Sequence, residues 1–158
     1  MITMTETKTR SIVIGSDHRG VKTKQTLLGF LDSDKFRCYN VGARNSSQSV
    51  DYPDIGDLVA VYLLQKTADI GILICSTGIG MSMTANRWPH IRAALVHNTY
   101  YAEMARKHNN ANVLCLGSDL KPDALQEILT TFLETEFEGG RHQKRLDKFV
   151  FDKSDRNR

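Results

Sequence analysis

The stretch Ile70–Asn86, which reads IGILICSTGIGMSMTAN, constrains the fold of this chain more than any other stretch. It starts with a near-continuous apolar run that ends at Cys75, a pattern typical of a strand buried on both faces of a parallel sheet. A turn of small residues with glycines at positions 78 and 80 follows, and residues 81–86 can then form a helix. In doubly wound α/β domains, this order of strand, glycine-bearing turn and helix creates a site for an anion at the helix N-terminus.

The rest of the chain repeats the alternation of apolar strand and amphipathic helix. Four more strands are predicted at residues 11–15, 36–41, 92–96 and 112–117, with helical apolar stripes between and after them. Five strands alternating with helices predict an α/β fold, namely a three-layer α/β/α sandwich around a Rossmann-like, five-stranded parallel sheet. No linker divides residues 1–158, so we expect a single domain with a loose N-terminus at 1–10 and a basic C-terminal arm at 139–158.

Composition excludes several classes of function. The net charge of +3 is too small to indicate nucleic-acid binding, and no apolar run approaches the roughly 20 residues of a membrane span. Three cysteines without paired spacing argue against a disulfide scaffold and favour a reducing, cytoplasmic compartment. Of these, Cys38 and Cys115 fall within predicted strands and are expected in the core. No CxxC or HxxxH spacing suggests a metal.

Polar side chains that suit acid–base chemistry follow the predicted strand ends. Because the carboxyl ends of parallel strands gather along one edge of the sheet, we expect these side chains to converge there. A lone cysteine at the end of a buried strand is more often a core residue, but a helix N-terminus favours the thiolate of Cys75. A thiol followed by the hydroxyl of Thr77 is suited to proton transfer, which phosphate binding alone does not need. The group consists of Asp17, His18, Tyr52, Cys75, Thr77, His97 and Asn98.

The basic residues near the end of the chain have a second candidate role. Arg141 and Arg145 are four residues apart and would share one face of a helix. Two guanidinium groups on one face suit a phosphate dianion, although a solvated charged face is the alternative interpretation.

Five stretches together resemble the type-B ribose-5-phosphate isomerases, in a group of sugar-phosphate isomerases that also includes galactose-6-phosphate isomerase. They are GSDHRG (15–20), DYPD (51–54), ILICSTGIGMSMTANR (72–87), RKHNNANVLCLGS (106–118) and EGGRHQKR (138–145). The resemblance implies an intramolecular oxidoreductase of the non-oxidative pentose phosphate pathway. It would interconvert D-ribose 5-phosphate and D-ribulose 5-phosphate through a cis-enediolate, without a metal or an organic cofactor.

The resemblance also implies roles for individual residues. Cys75 would be the base that moves a proton between C2 and C1, with Thr77 assisting, and Asp17 and His108 would open the furanose ring. Isoleucine at position 79, where other relatives carry a glutamate base, marks a cysteine-type member. The implied substrate contacts are Tyr52 and Asn109 to the sugar, His18, Arg141 and Arg145 to the phosphate, and the turn residues Ser76, Gly78, Ile79, Gly80, Met81 and Ser82 around the enediolate.

A homodimer with shared active sites is implied as well, with pairing into a tetramer left open. The region of His108 and Asn109 and the C-terminal arginines would reach into the partner's site. Many relatives carry an arginine after the glycine-serine that closes the fifth strand, whereas this chain has Asp119. Arg19 and Lys121 are the candidates to replace that phosphate contact.

Two other functions stay open at the level of sequence. One keeps the chemistry and changes the substrate to a six-carbon sugar phosphate, such as allose or galactose 6-phosphate. The other is a non-catalytic, flavodoxin-like module that binds a phospho-ligand through the same turn. The pair of Cys75 and Thr77, together with His108, favours an enzyme, because binding alone would not need them.

Overall fold

Five parallel strands form one sheet in the order β2-β1-β3-β5-β4 in a computed structural model of the chain, which describes residues 9–149. The strands are β1 (Arg10–Ser16), β2 (Phe36–Gly42), β3 (Ile70–Cys75), β4 (Ala93–Leu95) and β5 (Val113–Gly117). The helices are α1 (Val21–Phe30), α2 (Tyr52–Leu64), α3 (Ile79–Ala85), α4 (Thr99–Asn109), α5 (Pro122–Glu134) and α6 (Arg141–Leu146).

The two faces of the sheet carry separate hydrophobic cores. One core packs Leu27 of α1, Ala102 of α4 and Phe132 of α5 against the sheet. The other packs Val59 of α2 and Met81 of α3 against the opposite face. The predicted three-layer α/β/α sandwich with a Rossmann-like parallel sheet is therefore confirmed.

The central strand β3 is buried along its whole length, as its apolar run predicts. It pairs with β1 on one side and with β5 on the other, in registers that align Ile74 with Ser16 and Cys75 with Gly117. The carboxyl ends of β1, β3 and β5 therefore lie level with one another. Any side chain that follows one of these ends is close to the turn after β3.

The structure corrects the expectation that Cys38 is buried, and it defines the ends of two helices. Cys38 is exposed, not buried, because β2 is an edge strand of the sheet, whereas Cys115 in β5 is fully buried as expected. Helix α4 continues through His108 and Asn109, and Asn110 ends it in a left-handed conformation with φ 43°. Asp51 occupies the N-cap position of α2 without a side-chain hydrogen bond to the helix.

Most of both termini lies outside the described residues. The expected loose N-terminus falls on residues 1–8 and the last part of the basic arm on residues 150–158, neither of which the structure describes. Within residues 9–149, none of the helices is both long and apolar enough to cross a lipid bilayer.

Candidate active site

The turn between β3 and α3 holds Cys75 at the carboxyl edge of the sheet. The Cys75 side chain is 5% exposed, and its Sγ accepts a hydrogen bond from the Gly78 backbone N–H at 3.1 Å. The positive end of this backbone N–H therefore points at the sulfur. Gly78 has φ 76°, and a Cβ there would lie 2.9 Å from the carbonyl oxygen of Leu116. Only glycine fits this position, so the contact that reaches the sulfur depends on the glycine that the sequence provides.

Some of the remaining backbone N–H groups of the turn already donate hydrogen bonds within the protein, and others are available to bind a ligand. The Ile79 N–H donates to Thr77 Oγ1 at 3.3 Å, and the Ser82 N–H donates to the Gly78 carbonyl at 3.0 Å as the first bond of α3. Within residues 9–149, the N–H groups of Gly80 and Met81 make no hydrogen bond to the protein. Of the turn residues expected around the enediolate, Gly80 and Met81 therefore have N–H groups available to bind an oxyanion.

Tyr52 lies directly over this turn. Its ring is 42% exposed, and a Cβ at Gly80 would be 2.6 Å from Tyr52 Cε2. The sequence therefore has a side-chain-free residue where an aromatic ring must approach the backbone of α3. The ring and the two available amides border the same space.

The turn after β1 contributes Asp17 and His18. Asp17 is buried at 6% exposure, and its Oδ1 accepts the N–H groups of Arg19 at 2.9 Å and Gly20 at 3.0 Å. The Asp17 N–H donates to the Ile74 carbonyl at 3.2 Å, which links the ends of β1 and β3. His18 Nδ1 lies 3.3 Å from both the carbonyl oxygen and the nitrogen of Val50, in the loop that leads to Tyr52.

The turn after β5 brings a carboxylate to the same edge. The Ser118 N–H donates to the Ser76 carbonyl at 3.1 Å, so the two turns are tied together. A Cβ at Gly117 would lie 2.5 Å from Asp119 Oδ1, so this carboxylate covers Gly117, the residue paired with Cys75. Arg19 and Lys121 are exposed on neighbouring turns of the same edge.

His97 and Asn98 follow the carboxyl end of β4 as expected, but the structure does not bring His108, Asn109, Arg141 and Arg145 to this edge within one chain. Helix α4 runs back from the carboxyl edge, so its last residues, His108 and Asn109, reach the amino edge of the sheet. There the Arg92 Nε–H, next to the start of β4, donates to the Asn109 carbonyl at 3.1 Å. The five residues of β5 separate the two edges by about 16 Å. The predicted site residues therefore form a carboxyl-edge group and an amino-edge group.

The C-terminal arm contributes to the amino-edge group. The Glu138 N–H donates to the Lys107 carbonyl at 3.1 Å, which fixes the start of the arm against the end of α4. In α6, Arg141 and Arg145 are exposed, while His142 between them is buried at 3% exposure. The ring of His142 stacks on that of His108, with centroids 4.1 Å apart and planes 11° from parallel.

Glu138 and His142 are site residues that the sequence did not single out. Glu138 Oε2 lies 3.4 Å from His142 Nε2. Burial, His108 and Arg141 lower the pKa of His142, while Glu138 opposes them. The sequence does show a histidine between two arginines in this segment. Whether that histidine points inward depends on how α6 packs on α4.

His108, Glu138 and His142 bring three ligand atoms within 4.8 Å of one another. The lone pairs of an imidazole lie in its ring plane, and one metal ion must lie in the plane of both rings to bind both. Planes about 4 Å apart and tilted by only 11° do not meet within bonding distance. This geometry is that of a stacked pair, not of a metal centre.

Known proteins are similar to this chain over most of its length. A family model described as Ribose/Galactose Isomerase matches residues 12–149. The Listeria innocua protein named Ribose-5-P isomerase B is 40% identical over 137 residues, which are 86% of this chain and 92% of that protein.

Two solved structures are similar over most of the chain. The type B ribose 5-phosphate isomerase of Trypanosoma brucei has a TM-score of 0.84 at 43% identity, covering 89% of this chain and 96% of its own. Ribose-5-phosphate isomerase B of Clostridium thermocellum has a TM-score of 0.86 at 40% identity, covering 94% and 99%. From the family match and these likenesses we conclude that the chain belongs to the ribose/galactose isomerase family.

Proposed function

We propose that the protein is an aldose–ketose isomerase that interconverts D-ribose 5-phosphate and D-ribulose 5-phosphate, with Cys75 as the base. The observation that carries the proposal is the hydrogen bond from the Gly78 N–H to Cys75 Sγ at 3.1 Å, in a turn with two available amides. A thiolate beside amide donors can remove a proton next to a carbonyl and stabilise the oxyanion that forms. The family membership and the names of the relatives support the choice of substrate.

The proton transfer proceeds through a cis-enediolate. The thiolate of Cys75 takes the proton from C2 of the open-chain aldose, and the electron pair moves to the carbonyl oxygen at C1. The N–H groups of Gly80 and Met81 donate to the enediolate oxygens, and Thr77 exchanges a proton between them. The thiol then returns its proton to C1, which gives the ketose. Because Cys75 is only 5% exposed, water competes little for the proton or for the amide donors.

Ring opening and phosphate binding use the remaining residues. Asp17 and His108 transfer the proton between the O1 hydroxyl and the ring oxygen, and Tyr52 and Asn109 contact the sugar. His18, Arg141 and Arg145 bind the phosphate, which holds C1 and C2 in register with the sulfur. Arg19 and Lys121 are exposed and are the candidates to replace the phosphate contact that Asp119 does not supply.

Each complete site contains residues of two chains. His108, Asn109, Arg141 and Arg145 lie at the amino edge, about 16 Å of strand away from Cys75. A symmetric dimer brings the amino-edge group of one protomer to the carboxyl-edge group of its partner and forms two equal sites. The arm at 139–158 is then part of a single domain that completes its partner's site. Three free cysteines favour the reducing cytoplasm as the compartment of this reaction.

The test is turnover of ribose 5-phosphate by Cys75→Ser and Cys38→Ser variants. Cys75→Ser is expected to lose turnover by at least about 10³-fold, because a hydroxyl is a far weaker base than a thiolate. Cys38 is an exposed thiol on the edge strand, and its variant serves as the matched control with wild-type turnover. Wild-type turnover in Cys75→Ser would remove Cys75 as the base.

A panel of sugar phosphates separates the alternatives. Pentose phosphate turnover well above that of allose or galactose 6-phosphate supports the proposed substrate, and the reverse order supports a hexose phosphate. No turnover of any of them would favour a module that only binds a phospho-ligand. We expect the activity to persist in chelator and to disappear after alkylation of Cys75.

A further inference from the structure

The stack of His142 on His108 is the strongest feature of the amino-edge group that the proposed chemistry does not use. His142 is the buried residue of α6, at 3% exposure, while its neighbours Arg141 and Gln143 are exposed. The two imidazoles are 4.1 Å apart at their centroids and only 11° from parallel. The stack is therefore a direct, flat contact between α6 and α4.

The groups that face His142 disfavour a positive charge on it. On α4 it faces His108, on α6 it faces Arg141 and Arg145, and from the preceding segment it faces Glu138. Arg141 Nε and Glu138 Oε2 each lie 3.4 Å from His142 Nε2. Burial is the largest cause that lowers the pKa of His142; His108, Arg141 and Arg145 lower it further, and Glu138 only partly opposes them.

An uncharged ring suits the position next to a proton-carrying histidine. A flat neutral ring against one face of His108 restricts rotation of its imidazole, and the two ring nitrogens remain free in the plane to meet a substrate. A neutral π system also tolerates a positive charge on the neighbouring ring, whereas a second imidazolium would repel it. Orientation of this kind is how residues beyond the substrate contacts raise catalytic rates.

We propose that His142 is a positioning residue that stays uncharged and holds the imidazole of His108 in the plane in which it exchanges a proton with the sugar. This inference rests on the proposed role of His108 in ring opening. It assigns a function to the only buried side chain of α6, whose arginines have a separate role in phosphate binding.

The stack also makes turnover sensitive to acid in a particular way. When His142 takes up a proton, its charge is repelled by Arg145 and by Arg141, whose Nε lies 3.4 Å from His142 Nε2, and the ring leaves the stack. Because the pKa of His142 is lowered, this happens only at a pH below the usual histidine range. The wild type should then lose turnover through two protonations in acid, one on the reacting groups and one on His142.

The experiment measures kcat and KM for ribose 5-phosphate from neutral to acidic pH with the full chain. The variants are His142→Ala, His142→Phe and, as the matched control on the same helix, Gln143→Ala. His142→Ala removes the ring and should lower kcat about tenfold at neutral pH with KM within about twofold, because Arg141 and Arg145 remain. His142→Phe keeps a flat ring without a titrating nitrogen and should recover most of kcat. Gln143→Ala should match the wild type.

The decrease of kcat at acidic pH is a measurement that a purely structural role of His142 would not change. Log kcat of the wild type should fall with a slope approaching about 2, and that of His142→Phe with a slope of about 1. The titration of the substrate phosphate is the same for all variants and cancels in this comparison. If His142→Ala fails to fold, His142→Phe alone still tests the slope.

If the wild type turns over ribose 5-phosphate, any one of three results would overturn the proposal. They are wild-type kcat in His142→Ala, no recovery in His142→Phe, and equal acid slopes in the wild type and His142→Phe. A lower folded fraction with unchanged slopes counts against it too. A wild type without turnover of ribose 5-phosphate would instead overturn the proposed function and, with it, the role of His108.

Discussion

At the scale of single residues, Lys24 has the most unusual environment outside the candidate site. It is 1% exposed, and its Nζ donates to the carbonyls of Val41 and Ala43, at 2.7 Å each. These carbonyls lie at the end of β2, where the loop toward His18 and Tyr52 begins. Burial, together with the nearby charge of Arg44, lowers the pKa of Lys24 from 10.5 to about 8. A lysine therefore holds this loop in place at the cost of burying a charge.

Substitution of Lys24 should change how stability depends on pH. The folded state binds fewer protons than the unfolded state between pH of about 8 and 10.5, so the free energy of unfolding of the wild type rises with pH there. Lys24→Met lacks this rise and leaves two carbonyls without donors, and should be less stable by about 1–3 kcal/mol at neutral pH. Urea unfolding from pH 7 to pH 10 measures both effects.

The control for this prediction is Lys22→Met, on the exposed side of the same helix. It should follow the wild type at every pH, with a difference below about 0.5 kcal/mol. Parallel stability profiles for the wild type and Lys24→Met would contradict the lowered pKa, whatever the loss in stability.

At the scale of elements, the contact between α2 and α3 positions the sugar-binding side of the turn. Tyr52 begins α2, and its ring covers Gly80 in the first turn of α3. A second close contact in the same pair of helices is made by Gly56, where a Cβ would lie 2.8 Å from Thr84 Cγ2. Glycine on one helix therefore allows α2 and α3 to approach closely, and this approach brings the Tyr52 ring to the available amides.

Adding a methyl group at position 80 should show how the position of the Tyr52 ring affects substrate binding, separately from its effect on stability. In Gly80→Ala, the Cβ would be 2.6 Å from Tyr52 Cε2, and the half-exposed ring can move away because its outer side is open to solvent. Alanine favours the helix, so we expect little loss of stability but a KM for ribose 5-phosphate raised about fivefold or more, through the displaced ring. Steady-state kinetics and thermal unfolding measure the two quantities.

Gly29→Ala is the matched control, since a Cβ there meets no atom within 4 Å. It should be more stable by up to about 1 kcal/mol and kinetically unchanged. The double variant Gly80→Ala/Tyr52→Ala should be no worse than Tyr52→Ala alone, because the ring is then already absent. A further loss of activity in the double variant, equal to that of Gly80→Ala alone, would show that Gly80→Ala acts on something other than the Tyr52 ring.

At the scale of the whole molecule, the division of the site between two edges of one sheet is the main result. One five-stranded sheet presents Cys75 and Asp17 at its carboxyl edge and His108 with the arginines of α6 at its amino edge. Helices that connect parallel strands always return the chain to the amino edge, so no local rearrangement can join the groups within one chain. The proposed function therefore requires a second copy.

Subunit mixing tests this requirement directly. Cys75→Ala removes a side chain of the carboxyl-edge group and His108→Ala removes one of the amino-edge group. Each variant homodimer should therefore be nearly inactive. After subunit exchange, a mixed dimer has one site with both defects and one intact site, and the mixture should regain about a quarter of wild-type activity. Activity is measured before and after exchange at equal total concentration, with each variant exchanged alone as the control. No gain, with exchange verified, would exclude sites shared between chains.

The local features were determined by the sequence alone. The apolar run of β3, the glycine of the turn at position 78, and the stripe of α5 require only neighbouring residues, because burial pattern and backbone freedom are short-range properties. They correctly predicted the fold and the turn that holds Cys75. Cys38 was assigned wrongly because an apolar stretch does not reveal whether its strand is central or at an edge of the sheet.

Only the tertiary structure decided which distant residues meet. The burial of Lys24 against the end of β2 and the stack of His142 on His108 join segments far apart in the chain. The position of Asp119 over Gly117 depends on the tilt of a turn after β5. The periodicity of a sequence indicates which face of a helix or strand is buried, but not which other element packs against that face. These contacts therefore follow from the packing of whole elements against one another.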